Sequence, residues 1–248
     1  MEFTNLLAAG EKMDVYKCGN MADKLFHTDY AKGDVLYEAL VHARVEETGL
    51  NVPKILEVAK EKDQWIIAME CIEGKTLAQI MAEDPANTAS YLEQMLDLQL
   101  EVHSKRAPSL NKLKDKLIAD IKALTEIDDN RKYELLTRLD SMPKHVKLCH
   151  GNFCPSNIMV QGDKVYIVDW IAATQGNASA DVARTYLLLA LESQANADLY
   201  LDLFCKKTGT AKKYVQEWLP IVAAAHLKNC KPEEKELLMR WQDVVDYE

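Results

Sequence analysis

Four polar residues within twenty positions, His150, Asn152, Asn157 and Asp169, could do chemistry together. Asn and Asp oxygens are hard donors suited to Mg²⁺, which takes a few protein oxygens and completes its shell with substrate phosphates and water. Asn157 and Asp169 flank a segment that reads as a hairpin: Ile158-Met159-Val160, a Gly162-Asp163 turn, then Val165-Tyr166-Ile167-Val168. A hairpin brings its two ends together, so this pair could grip one or two such ions. A single Asn or Asp in a tight loop ordinarily satisfies turn hydrogen bonds; the ordered set around one hairpin points to function instead. Cys149, His150 and Cys154 suggest a second chemistry, zinc binding. A structural zinc takes four ligands, however, and no CxxC pair or second cluster completes this set.

The elements that must position these residues change character along the chain. Asp14 to Cys18 alternates like a half-buried strand, Gly19-Asn20 signals a turn, and Met21 to Phe26 returns as the partner. Asp34 to Thr48 predicts a helix with Val35, Leu36, Ala39, Leu40, Ala43 and Val45 on its apolar stripe, ending at Gly49. Strands are predicted at Lys54 to Val58 and Trp65 to Cys71, the second apolar enough to be covered on both faces. From Thr76 onward helical spacing dominates, at Thr88 to Ser104, Leu113 to Leu124 and Arg131 to Leu139. Four more helical segments, parted near Gln194, Gly209 and Pro232, follow Ala180. The reading is an α+β, bilobal chain: a small antiparallel-sheet lobe over residues 1–73 and a larger, mainly helical lobe over 74–248 that contains the polar hairpin.

The spacing His150-x-Asn152-x₄-Asn157, with Asp169 beyond the hairpin, corresponds to a kinase catalytic loop and its metal-binding Asp. The run His150-Gly151-Asn152-Phe153-Cys154-Pro155-Ser156-Asn157, followed by Asp169-Trp170, resembles the aminoglycoside phosphotransferase and choline kinase-like family, whose signature is His-Gly-Asp, four residues, Asn, then a hairpin ending in Asp-Trp. The resemblance implies a protein kinase-like fold, ATP and Mg²⁺ as cofactors, and Asn157 and Asp169 as metal ligands. It places Asn152 and His150 in the catalytic loop, His150 ordering it, and Asp181, in Asp181-Val182-Ala183-Arg184, as its brace. Lys24, in Ala22-Asp23-Lys24-Leu25-Phe26, is similar to the phosphate-binding Lys, and Glu38 to its helix partner, although Glu46 and Glu47 lie on the same helix. Met69-Glu70-Cys71-Ile72-Glu73-Gly74 resembles the linker whose backbone, at Glu70 and Ile72, receives adenine. Leu7 to Val15 occupies the place of a phosphate-covering loop with a single glycine. His27, His42, His103, His145 and His226 are read as surface or packing residues.

The departure from the family pattern is Asn152, which stands where the family has its catalytic Asp. An Asp there takes the proton of the acceptor hydroxyl; an amide can orient the hydroxyl but cannot serve as that base. The readings are therefore an ATP-dependent kinase for a small hydroxyl compound, a nucleotide-binding pseudokinase or low-activity variant, and, more remotely, a metal hydrolase built on His150 and Asp169. With 30 basic against 39 acidic residues the net charge is −9, which excludes a phosphate-neutralising hold on nucleic acid. The acidic balance, with Asp243, Asp246 and Glu248 near the C-terminus, favours a cationic acceptor such as an aminoglycoside, amino sugar or amino alcohol. Met1 to Asn5 shows no basic stretch leading into an apolar one, and the longest apolar runs, such as Leu187 to Leu191, are too short to span a bilayer. The expected location is the cytoplasm, with the six cysteines reduced.

Overall fold

The computed structural model describes residues 3–228 and 230–242. In chain order the elements are β1 (Leu6–Ala9), β2 (Met13–Cys18), β3 (Met21–Phe26), α1 (Lys32–Glu46), β4 (Ile55–Glu61), β5 (Gln64–Glu70), β6 (Lys75–Thr76), α2 (Leu77–Glu83), α3 (Thr88–Ser104), α4 (Leu113–Ala123), α5 (Asp129–Ser141), β7 (Lys147–Cys149), β8 (Ile158–Gln161), β9 (Lys164–Ile167), β10 (Thr174–Gly176), α6 (Ala178–Glu192), α7 (Gln194–Thr208), α8 (Lys212–Gln216), α9 (Leu219–Leu227) and α10 (Lys235–Gln242). The chain forms two compact units. One takes the chain up to Ile80 together with Pro155–Ile171; the other takes Met81–Cys154 and the chain from Ala172 onward.

The first unit is built on an antiparallel sheet in the order β1-β2-β3-β5-β4, with α1 against it. β5 lies between β3 and β4, which is why Ile66, Ile67 and Ala68 are all buried in an unbroken apolar run. Phe26, Val35, Ala39 and Ile67 form the core between helix and sheet. The apolar stripe of α1 is rotated from the sequence expectation: Leu36 and Leu40 are exposed, at 45% and 46%, and Ala43 also faces outward. The buried face carries Glu38 and His42 instead. Polar pairing sets that rotation, because His42 Nε2 lies 2.6 Å from the Pro53 carbonyl and the Glu46 carboxylate accepts the Ile55 N–H at 2.9 Å.

The hairpin β8–β9 belongs to this first unit, whereas the sequence reading cut the chain once, at 73/74. Two interactions draw it there: β6 pairs with β8, and Ile167 N–H donates to the Asn51 carbonyl at 3.0 Å. Gly74 permits the pairing, since a Cβ at that position would sit 2.0 Å from the Val160 carbonyl oxygen.

In the second unit α3, α4, α5, α6, α7 and α9 supply most of the core, with Leu92, Leu96, Ile121, Leu139, Leu187, Tyr200 and Ile221 fully buried. The segment expected as one helix between Gly209 and Pro232 is two, α8 and α9. Pro220 sits at the start of α9, where its missing N–H costs nothing. A two-stranded sheet, β7 with β10, precedes and follows the hairpin segment and was not visible as periodicity, because three-residue strands carry too little of it. No helix among the described residues is long and apolar enough to cross a membrane. The acidic residues Asp243, Asp246 and Glu248 lie outside the described residues.

Candidate functional site

In the first unit, β3 presents Lys24 to α1. Lys24 pairs across the sheet with Val15 and Ile67, is only 7% exposed, and its ammonium is bound by the Glu38 carboxylate. Of the three glutamates on the helix, Glu38 is the partner; Glu46 holds Ile55, and Glu47 is exposed. A second carboxylate, that of Asp169, lies 3.9 Å from the same ammonium, and the Lys24 ammonium also stands 5.8 Å from the Phe26 ring centroid. A cation fixed in this way is suited to meet phosphate oxygens as a charge-assisted donor.

Asn157 and Asp169 sit at the open end of β8–β9. Ile158 pairs with Ile167, and Val168 N–H donates to the Asn157 carbonyl at 3.0 Å, so Asn157 is held one position and Asp169 two positions beyond the last ladder pair. Asp169 adopts φ +64°, a left-handed conformation rarely taken by a non-glycine residue. Such strain costs of order 1 kcal/mol and is concentrated at functional positions. Trp170, 1% exposed with its indole N–H on the Ile167 carbonyl at 2.9 Å, anchors the chain immediately after it. The donor set, one carboxylate and one amide oxygen, fits a Mg²⁺ that keeps most of its shell for phosphate and water. Among the described residues no three His, Cys, Asp or Glu side chains converge on a metal-sized site.

The linker after β5 carries Glu70 and Ile72. Glu70 N–H donates to the Lys54 carbonyl at 2.9 Å and its carboxylate accepts Lys54 N–H at 3.2 Å, which fixes the end of the strand. Ile72 has neither backbone group in a hydrogen bond among the described residues, leaving a donor and an acceptor open for a flat heterocycle. Lys17 pairs with Glu73 beside it.

In the second unit the loop His150-Gly151-Asn152 is held by Asp181 of α6. The Asp181 carboxylate accepts Gly151 N–H at 2.7 Å, His150 N–H at 3.2 Å, the Gln99 amide at 3.1 Å and the His103 ring nitrogen at 2.9 Å. Burial pushes its pKa up. The His103 bond and charge, the Gly151 N–H and the His150 charge outweigh that and hold the carboxyl below its ordinary range. His150 is fully buried, edge-on to Phe153 at 5.6 Å between centroids, and its Nδ1 accepts Asn152 N–H at 3.1 Å. Gly151 has φ +78°, and a Cβ there would lie 2.6 Å from the Ala172 carbonyl oxygen, so only glycine lets the loop approach so closely. Asn152 lines a cavity of about 320 Å³ together with Lys116, Asp120, Arg184 and His226.

Sequence reasoning missed Gln99, and read His103 as a surface or packing residue. Their spacing of four puts them on one face of α3, but nothing in the sequence says that Asp181 meets that face. Tyr200 completes the buried group by donating to the side-chain amide oxygen of Gln99, Oε1. All six cysteines are free, and burial pushes the Cys149 thiol well up and that of Cys18 to about 11, so these two are not poised as thiolates.

The sequence model of the phosphotransferase enzyme family matches residues 8–205. The chain belongs to that family. It is a phosphotransferase with a protein kinase-like α+β fold. Among curated proteins it is similar to Protein LicA of Haemophilus influenzae, 25% identical over 191 residues that cover 71% of this chain and 68% of that one. A thermostable mutant of aminoglycoside phosphotransferase APH(4)-Ia, in a ternary complex with AMP-PNP and hygromycin B, superposes with a TM-score of 0.70 at 14% identity over 95% of this chain and 89% of that chain. A choline/ethanolamine kinase family protein from Mesorhizobium loti superposes with a TM-score of 0.63 at 15% identity, over 98% and 83% of the two chains.

Proposed function

We propose that this phosphotransferase uses ATP and Mg²⁺ in the cytoplasm to phosphorylate a hydroxyl of a small acceptor. The observation that carries the reading is Lys24, buried, bound to Glu38 and 3.9 Å from Asp169. A phosphotransferase needs a fixed cation for the nucleotide phosphates next to a carboxylate for the metal, and those three side chains supply both. Asn157 and Asp169 would hold Mg²⁺, which supplies charge neutralisation on the phosphates. The open N–H and C=O of Ile72, beside Glu70, would receive adenine. Nucleotide and metal binding thus fall to the sheet-bearing unit, with the acceptor in the cavity of the helical unit lined by Asn152.

Asn152 can orient the acceptor hydroxyl through its amide oxygen but takes no proton from it. A general base contributes roughly 10²- to 10⁴-fold, while phosphoryl transfer draws mainly on positioning and electrostatics. Slow turnover is therefore compatible with this loop, and so is a nucleotide-binding pseudokinase, the second reading, which Asn152 favours. Phosphate transfer from Mg²⁺-ATP, measured on this protein and on Asn152→Asp with a panel of small hydroxyl acceptors, separates them. Transfer by the native chain, accelerated at least tenfold in the Asp form, supports the kinase. Nucleotide binding with no transfer by either form supports the pseudokinase and defeats the first reading.

A further inference from the structure

We infer that the acceptor carries an anionic group, a carboxylate or a phosphate ester, in addition to its reacting hydroxyl, and that Arg184 and Lys116 hold that group in the cavity beside Asn152. The inference rests on the kinase reading above for the identity of the site, but it concerns the charge of what enters. Arg184 is the main evidence. Its Nε donates to the Gly151 carbonyl at 3.3 Å, and among the described residues no carboxylate comes within ion-pair distance of its guanidinium. Asp120, Asp181 and Glu234 lie near enough to favour its charge, yet burial outweighs them and draws its pKa down to about 10. An enclosed guanidinium without a bonded anion is costly, and an anion entering the cavity relieves that cost. A guanidinium fork is also the side chain whose geometry matches carboxylate and phosphate oxygens.

The carboxylates that line the cavity are already bound by cations and donors. Asp120, among the described residues the one carboxylate that lines the cavity without a role in the loop, is bound by two ammonium groups, Lys116 at 2.6 Å and Lys228 at 3.0 Å. Asp181 is engaged by His103 and by the loop N–H groups. Burial and the charge of Arg184 bring His226 down to about 3, against the Glu234 carboxylate 3.3 Å from its Nε2. Asn152 removes the negative charge that an Asp would place on the cavity wall. Among the described residues no Phe, Tyr or Trp lines the space, so no cage for a quaternary ammonium is formed there. The net charge of the whole chain, the basis for expecting a cationic acceptor, is not the charge of this cavity.

The test uses the full-length protein with AMP-PNP and Mg²⁺ for calorimetric binding, and with ATP and Mg²⁺ for transfer. Ligands are offered in matched sets: serine with serinamide and ethanolamine, and glycerol 3-phosphate with glycerol. The expected result is that at least one acid binds tenfold or more tightly than its neutral or cationic counterparts. Its carboxylate or phosphate arm then identifies the group. Arg184→Gln should abolish the preference. Lys116→Gln, at a side chain 44% exposed, should reduce it several-fold without moving the melting temperature. Equal binding across every set, or a preference that survives both substitutions, overturns the inference. Selective binding of an acid without transfer would leave this inference standing and remove the kinase reading. Transfer to serinamide, ethanolamine or glycerol that is indifferent to Arg184→Gln would do the reverse.

Discussion

Lys24 is a buried cation set among carboxylates, with Glu38 bound to it and Asp169 at 3.9 Å; Asp181 is a buried carboxylate set among donors, two loop N–H groups, the Gln99 amide and the His103 ring. Each is the hub of its own unit, yet they divide the work differently. Around Lys24 the charges sit on side chains, and one of them, Asp169, has a side chain 29% exposed and lies at the open end of a hairpin. A ligand can reorganise such a group. Around Asp181 the charge faces inward and binds backbone, so it fixes the shape of a loop whose outward member, Asn152, is neutral. The contrast teaches that the group proposed to hold phosphates fits the family pattern in kind, whereas the proposed acceptor side keeps the scaffold of its loop and changes the group it displays.

Removing the cation at the first hub should have the largest effect. Lys24→Met leaves Glu38, 9% exposed, as a buried charge without its partner, and breaking such a pair costs about 3–5 kcal/mol. Urea denaturation should show that loss, and Glu38→Gln in the same chain should recover most of it. Nucleotide affinity should fall with Lys24→Met and stay low in the double variant. If the single variant kept its stability, or the double variant bound nucleotide normally, the description of Lys24 as a phosphate-facing cation held by Glu38 would be wrong.

The second hub should respond less and in another quantity. Asp181→Asn keeps the size of the side chain but replaces an acceptor-only carboxylate with an amide that cannot accept from all four donors. The expected loss is about 1.5–3 kcal/mol, the range for hydrogen bonds to a charged group. Because Asp181 touches the loop and not the Lys24 group, nucleotide affinity should hold while transfer declines. A fall in nucleotide affinity as large as that of Lys24→Met would erase the distinction between the hubs.

The two hubs also differed in how far the sequence disclosed them. Lys24, Glu38, Asn157 and Asp169 could be named because their order along strand, helix and hairpin follows a family pattern, and because hairpin spacing forces the last two together. The strands from Met13 to Phe26 and the helix Thr88 to Ser104 were legible from periodicity and a Gly-Asn turn. What stayed hidden depends on contacts between elements distant in sequence. His103 and Gln99 meet Asp181 across 78 and 82 positions. The pairing of β6 with β8, which assigns the hairpin to the sheet-bearing unit, joins Lys75 to Val160. The face of α1 was misjudged for a related reason: Leu36 and Leu40 fit an apolar stripe, but Glu38 and His42 had buried partners that apolar spacing does not register.

The most gradual expected effect concerns pH and separates the units by their histidines. His226, in the helical unit, has its pKa lowered to about 3 by burial and by the Arg184 charge, against 6.5 for an ordinary histidine, with the Glu234 carboxylate 3.3 Å from its Nε2 as the opposing charge. Between those values the unfolded chain binds a proton there and the folded chain does not, so stability falls as pH falls, by up to about 1.4 kcal/mol per pH unit, and is unaffected by this group above pH 6.5. Asp181 acts in the same direction but lower, since its depressed carboxyl loses its contribution only as pH drops through the range below 3.8. His42 of the sheet-bearing unit is also lowered by burial, opposed by its bond to Pro53 and the charge of Glu46, so the native chain alone does not isolate His226. The difference between native protein and His226→Gln does. Its denaturation free energy should match the native value at pH 7.5 apart from a constant offset, and the gap should close or invert steadily from pH 6.5 to 4.5. An unchanged gap across that interval would mean that His226 takes up a proton in the folded protein, and that the cavity beside Asn152 is wetter and more tolerant of added positive charge than the unpaired Arg184 implies.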